Sequence, residues 1–85
     1  MARVEIYTSP LCGYCHAAKR LLAKKGVEFE ETNVITTKGA RGIMMDRAGG
    51  KTSVPQIFIN GTHVGGSDEL HELDFDGELD PMLAQ

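Results

Sequence analysis

The two cysteines of this 85-residue chain stand three positions apart, in the stretch SPLCGYCHAAKRLL. Two thiols at positions i and i+3 of a helix lie on one face, so their sulfurs can bond with little backbone movement. Cys12 would lie in the first helical turn, where free N–H groups and the helix dipole favour an anion. We therefore expect the pKa of the Cys12 thiol to fall from about 8.5 into the range of about 3.5–7.5 found in such motifs.

The difference in position between the two thiols predicts different catalytic roles. Cys12 is expected to attack and leave, whereas Cys15, one turn deeper in the helix, is expected to stay a thiol until it resolves the intermediate. A structural disulfide is a weak alternative, because closing a loop of about four residues removes only ~2 kcal/mol of chain entropy, against ~4.7 kcal/mol for a hundred-residue loop. A CxxC pair beside a βαβ pattern is itself typical of redox proteins.

A zinc site and an inert, buried pair are two further roles that the cysteines could have. A zinc site would add His63 and His71 as ligands, but these histidines are eight positions apart, outside the usual spacing of roughly three to five intervening residues. An inert pair would have to be buried, and the polar and glycine neighbours of Cys12 argue against its burial. The sequence makes both roles less favourable than redox chemistry.

The elements around the cysteines follow from the spacing of apolar residues. Alternation over Ala2–Thr8 predicts a first strand, and an apolar set at helical spacing from Cys12 predicts a helix that ends at Gly26. Alternation over Val27–Val34 predicts a second strand, so these elements form a right-handed βαβ unit with parallel strands.

The second half of the chain predicts a helix, a hairpin and two short helical segments. In order these are a helix around Ile43–Ala48 ended by Gly49-Gly50, a hairpin with Ile57 and Ile59 before an Asn60-Gly61 turn and Thr62–Val64 after it, a helix over Ser67–Leu73, and a fragment over Gly77–Ala84. The predicted fold class is α/β, a mixed four-stranded sheet flanked by helices in the order β-α-β-α-β-β-α, in a single domain over residues 1–85.

Composition excludes several function classes. With 41% hydrophobic and 25% charged residues the chain has the balance of an ordinary globular domain, and its net charge of −3 without a basic stripe argues against binding nucleic acid. No apolar run approaches the length of a membrane span or a secretion signal, so we expect no membrane association and a cytoplasmic location, where thiols are kept reduced.

Three motifs in a fixed order resemble the dithiol glutaredoxins: CGYC between a strand and a helix, then TSVPQIFING, then GGSDEL. The match runs from VEIYT to ELDPML and implies a thioredoxin fold and glutathione-dependent thiol–disulfide exchange by Cys12 and Cys15. The chain departs from many members at two positions: Gly13 stands where they have Pro, and Ser9 where they have a Lys that would help to hold the thiolate.

A glutathione site is expected near the second and third motifs. Gly65-Gly66 lets the backbone come close to a ligand, and the N–H groups at Ser67 and Asp68 begin a helix that can hold the γ-glutamyl carboxylate. We expect both residues to cap this helix as well as to bind the ligand, with Asp68 pairing with the glutathione ammonium. Neither residue has a Glu or Gln three positions later, so we expect no capping box.

The resemblance implies the remaining glutathione contacts. It makes the Val54-Pro55 peptide cis, so that the Val54 N–H and C=O face the cysteinyl part of the ligand, and it assigns the glycine carboxylate to Arg41, with Lys38 and Lys51 as rivals. The expected glutathione-binding residues are Tyr14, Arg41, Ser53, Val54, Pro55, Gly66, Ser67 and Asp68.

The resemblance implies three functions of different classes. The first is an enzyme that reduces protein–glutathione mixed disulfides and protein disulfides with glutathione, acting as a monomer. The second is a dimer that carries a 2Fe–2S cluster between the Cys12 thiolates of two chains and two glutathiones, an alternative motivated by Gly13. The third is an electron donor to a partner such as a ribonucleotide reductase.

Overall fold

The computed structural model describes residues 2–85, which fold into one mixed sheet with helices on both faces. The elements are β1 (Val4–Thr8), α1 (Gly13–Lys24), β2 (Glu30–Asn33), α2 (Ala40–Arg47), β3 (Gln56–Ile59), β4 (Thr62–Gly65), α3 (Ser67–Phe75) and α4 (Leu79–Leu83). The strand order is β2-β1-β3-β4; β1 and β2 are parallel, and the other neighbours are antiparallel. This confirms the predicted architecture. Within residues 2–85, none of the helices has the length and apolar character needed to cross a membrane.

The second strand is shorter than its sequence pattern predicted. Pairing with β1 begins at Glu30, not at Val27. The Val27 N–H instead donates to the Leu22 carbonyl at the end of α1, 3.4 Å away, so it belongs to the turn that ends the helix. Val27 and Phe29 still pack against the core as partly buried side chains, which explains the apolar alternation before the strand begins.

The two faces of the sheet bury different side chains. Val4, Ile6, Ile57 and Ile59 pack beneath α1, α3 and α4 in the larger core cluster. Tyr7 and Phe58, which alternate with them along β1 and β3, face α2 and form a second cluster with Met44 of that helix. Because helices cover both faces, all four residues of β3 are buried.

An arginine at the end of α2 joins that helix to the first strand. Both terminal nitrogens of Arg47 donate to the Glu5 carboxylate at 3.0 Å, and Nη1 also donates to the Tyr7 hydroxyl at 3.0 Å. The guanidinium lies 4.0 Å from the centre of the Phe58 ring, close enough for a cation–π contact. The hydrogen bond from Arg47 lowers the pKa of Glu5 below its ordinary value of 4.5, and Glu5 raises the pKa of Arg47 in turn.

Replacing Arg47 with methionine should therefore destabilise the fold. The Arg47→Met variant keeps the bulk of the side chain but leaves the Glu5 carboxylate, which is only 17% exposed, without its two donors. We expect the free energy of unfolding in urea to fall by about 2–3 kcal/mol. The matched control is Arg20→Met on the exposed face of α1, which should change it by less than about 0.5 kcal/mol.

The effect should depend on pH in a defined direction. Because the pKa of Glu5 is lowered in the folded state, its ionised form stabilises the fold above pH 4.5, and this stabilisation is lost as the pH falls through the lowered value. The difference in unfolding free energy between wild type and Arg47→Met should thus shrink on acidification below about pH 4.5. A difference that stays constant down to pH 3 would contradict a role for the Glu5–Arg47 pair.

Candidate active site

The cysteine pair lies at the start of α1, and its two sulfurs have different surroundings. Cys12 is the N-cap residue, with an extended backbone, and the Cys15 N–H donates to its sulfur at 3.1 Å. Cys12 is half-buried, whereas Cys15 is 1% exposed within the helix. The two form a disulfide, with their Cα atoms 5.2 Å apart. The sulfur of Cys12 therefore occupies the position that a serine or aspartate oxygen takes in an ordinary helix cap.

The segment before β3 lies against this sulfur. The Val54-Pro55 peptide bond is cis, as predicted, and Pro55 is buried. The Val54 carbonyl oxygen lies 3.7 Å from the sulfur of Cys12. One wall of the site is thus backbone, and the carbonyl group of Val54 is next to the Cys12 sulfur.

A shallow groove of about 230 Å³ runs from this segment to the start of α3. It brings together seven of the eight residues expected to bind glutathione, although they come from three separate parts of the chain. Its lining residues are Tyr14, Ser53, Val54, Pro55, Gly66, Ser67, Asp68 and Glu69.

The eighth residue, Arg41, lies outside the groove lining. It stands near the start of α2 and is half-buried. Its Nη1 donates to the Thr52 carbonyl at 2.8 Å, one residue before Ser53 of the groove. Arg41 therefore lies next to the groove, and its side chain binds the backbone of the residue before Ser53.

The cap of α3 differs from the prediction. Gly66, not Ser67 or Asp68, is the N-cap, and the helix begins with Ser67. The Glu69 side chain accepts a hydrogen bond from the Gly66 N–H at 2.7 Å, which is the carboxylate half of a capping box; a glycine has no side chain to supply the other half. The expectation that Ser67 and Asp68 cap the helix was wrong, because the pair three residues apart is Gly66 and Glu69.

One groove residue, Glu69, was missed by the sequence reasoning. Glu69 lines the groove, and its side chain lies so close to Gly65 that a Cβ there would be 2.8 Å from its Oε1. Gly65 has a φ of +121°, a backbone conformation that favours glycine. The Gly66-x-x-Glu69 spacing was the signal that could have found it.

The four side chains of the zinc alternative do not converge. Nε2 of His63 lies 2.7 Å from the Gln56 side-chain oxygen, and Nδ1 of His71 lies 2.8 Å from the Ser67 carbonyl oxygen. In the described part of the chain, residues 2–85, no group of three or more His, Cys, Asp or Glu side chains is arranged to hold a metal ion.

The arrangement can carry out thiol–disulfide exchange. An external thiolate can reach Cys12 more easily than the buried Cys15. Attack on the Cys12 sulfur breaks the Cys12–Cys15 bond, and the Cys15 sulfur leaves as a thiolate. In the reverse direction, the Cys15 N–H is placed to donate to a negatively charged Cys12 sulfur.

Comparisons with known proteins agree with this chemistry. The family model described as Glutaredoxin matches residues 4–64. Glutaredoxin 3 of Escherichia coli is 52% identical over 83 residues, which cover 98% of this chain and 99% of that protein. A glutaredoxin from Brucella melitensis, solved in solution, is 48% identical with a TM-score of 0.84 and covers 98% of this chain and 89% of its own. A buckwheat glutaredoxin–glutathione complex has a TM-score of 0.88 at 29% identity, over 98% and 77%.

The sequence relatives extend over nearly the whole chain, and the structural relatives share its thioredoxin fold. Their agreement with the CxxC pair at a helix start makes this protein a thiol–disulfide oxidoreductase. The chain belongs to the glutaredoxin family.

Proposed function

We propose that this glutaredoxin uses glutathione to reduce protein–glutathione mixed disulfides and disulfides within proteins. The observation that carries the proposal is the groove beside Cys12, because Val54 both lines it and lies 3.7 Å from the Cys12 sulfur. A second support is the buckwheat relative, whose structure is a complex with glutathione.

The start of α3 is proposed to bind the γ-glutamyl end of glutathione. The first N–H groups of a helix have no partner within the helix, and the dipole favours an anion there. The amides of Ser67 and Asp68 are in this position, and the exposed Asp68 carboxylate is available to pair with the ligand ammonium. A zwitterionic α-amino acid group thus meets a donor and an acceptor side by side.

The opposite wall is proposed to bind the rest of the tripeptide. The backbone of Val54 supplies a donor and an acceptor for the cysteinyl unit, with Ser53 and the buried Pro55 beside it. The Tyr14 ring, 67% exposed, borders this wall, and Arg41 is the proposed cation for the glycine carboxylate.

The proposed reaction has two exchange steps. The Cys12 thiolate attacks the glutathione sulfur of the mixed disulfide, and the protein thiol leaves with a proton from solvent. A glutathione thiolate then attacks the enzyme–glutathione disulfide, which releases oxidised glutathione and regenerates the Cys12 thiolate. When the substrate is a disulfide within a protein, Cys15 attacks the mixed disulfide on Cys12 instead. This produces the Cys12–Cys15 disulfide seen in the structure, which two glutathione molecules then reduce.

The two cysteine variants should separate these steps. Cys12→Ser should lose the reduction of a glutathionylated peptide down to the background rate, because it removes the more accessible of the two cysteine sulfurs. Cys15→Ser should keep most of this activity but lose the reduction of intramolecular protein disulfides. A glutathione-coupled assay with both substrates measures this, and full activity of Cys12→Ser would contradict the mechanism.

Asp68 and Asp76 offer a matched pair for testing the γ-glutamyl site. Both are exposed acids at the two ends of α3, but only Asp68 lines the groove. Asp68→Asn should raise KM for the glutathionylated peptide about three- to tenfold, the effect of losing one partly solvated ion pair. Asp76→Asn should leave KM unchanged. Equal effects of the two variants would show a general charge effect and refute the proposed contact.

The 2Fe–2S dimer is a second candidate, favoured by one observation at Gly13. A Cβ at Gly13 would meet no atom within 4 Å, so the chain position that follows Cys12 faces open space. One chain would supply only the Cys12 thiolate, and a second chain and two glutathiones would supply the remaining ligands. A brown, glutathione-dependent dimer after anaerobic purification would support this candidate, whereas a colourless monomer would count against it.

The partners and location follow from the reductase chemistry and are part of the proposal. The substrates are glutathionylated or disulfide-containing proteins, with ribonucleotide reductase as one candidate acceptor of electrons. The proposed location is the cytoplasm, since the cycle requires a supply of reduced glutathione. The enzyme is proposed to act as a monomer.

A further inference from the structure

A buried glutamine connects the groove to the far strand of the sheet. Gln56 is 2% exposed, and its side-chain nitrogen donates to the Ser53 carbonyl at 3.0 Å and contacts the Ser53 hydroxyl at 3.3 Å. Its side-chain oxygen lies 2.7 Å from Nε2 of His63 on β4. The three residues form a continuous chain of hydrogen bonds, which we call the relay, from β4 to the groove.

Elementary hydrogen-bond chemistry determines the direction of the relay. A carbonyl oxygen only accepts, so the amide nitrogen of Gln56 must face Ser53 and its oxygen must face His63. Because that oxygen also only accepts, Nε2 of His63 must carry a proton. The relay therefore assigns His63 the tautomer protonated at Nε2.

The histidine ring is itself held by the sheet. His63 pairs with Phe58 across β3 and β4, and the two ring centres are 5.0 Å apart at an interplanar angle of 31°. Phe58 is 1% exposed and also packs under the guanidinium of Arg47. The donor of the relay thus packs against the buried interior of the sheet, whereas its acceptor is in an irregular segment.

That irregular segment has two side-chain anchors near the groove. Residues 51–53 are exposed and belong to no helix or strand. Arg41 holds the Thr52 carbonyl, and Gln56 holds the Ser53 carbonyl. If Arg41 turns toward the glycine carboxylate of a ligand, it releases Thr52, and the Gln56 anchor is the one that persists in the bound state.

We infer that His63 is a positioning residue for the glutathione groove, which acts through Gln56 on the Ser53–Val54 backbone. The inference rests on the proposed function, because it concerns the same groove. His63 does not line the groove, and its hydrogen bond to Gln56 connects the imidazole ring to the Ser53–Val54 backbone.

Two variants of His63 separate the donor from the ring. His63→Phe keeps an aromatic ring against Phe58 but removes the N–H, while His63→Gln removes the ring but places an amide N–H at a similar reach. We expect His63→Phe to raise KM for a glutathionylated peptide about three- to tenfold, as for the loss of one buried hydrogen bond, with little change in kcat. His63→Gln should restore KM to near the wild-type value.

The outcomes distinguish the inference from the function on which it depends. Equal KM values for wild type and both variants would overturn the inference but not the proposed function. A raised KM in His63→Gln together with a wild-type KM in His63→Phe would do the same. Wild-type protein that fails to turn over the peptide would overturn the proposed function and, with it, the role in binding.

A measurement on the unmodified protein covers the case in which a variant does not fold. Nitrogen NMR of the histidine rings at mildly alkaline pH, where imidazole is neutral, reports which nitrogen carries the proton. We expect His63 to be protonated at Nε2, and a proton at Nδ1 would overturn the relay.

Discussion

The chemistry proposed for this protein depends on a hydrogen bond from the backbone N–H of Cys15 to the sulfur of Cys12. It makes the sulfur the cap of a twelve-residue helix. The same atom thus accepts the hydrogen bond that the helix start requires and occupies the position where a helix favours an anion. The helix start matters more here because Ser9 stands where many glutaredoxins carry a lysine, and the sulfur lacks that cation. Cys15, buried one turn below, supplies the donor and is also the cysteine proposed to resolve the mixed disulfide.

The rest of the fold holds backbone groups around this sulfur. The sheet carries β1 directly into the cysteine loop, and β3 begins directly after the cis peptide that faces it. On the α2 side, Arg47 joins the helix to Glu5 while Phe58 supports both Arg47 and His63. These polar contacts lie beside the apolar cluster of the α2 face, whereas the opposite face carries the larger apolar core.

The residues alone predicted the elements because those features are local, whereas the resemblance to the glutaredoxins supplied the cis Val54-Pro55 bond and most of the groove residues. The cysteine helix, the Asn60-Gly61 turn and the cis Val54-Pro55 bond were all found as expected. Features that join distant residues were not predicted. Arg47 meets Glu5 across 42 positions, and the partner of Gln56 depends on the exact register of β3 and β4. The cap of α3 was placed one residue late, since glycine gives no side-chain signal and only Glu69 marks it.

The most direct test of the account is the pKa of the Cys12 thiol in the reduced Cys15→Ser variant. This variant keeps the donating N–H of residue 15 and leaves one thiol to titrate, so the ultraviolet absorbance of the thiolate against pH reports Cys12 alone. We expect a pKa below about 7.5 in the folded protein, rising to about 8.5 when urea unfolds the helix. A folded-state value of about 8.5 would contradict the claim that the helix start ionises the attacking sulfur.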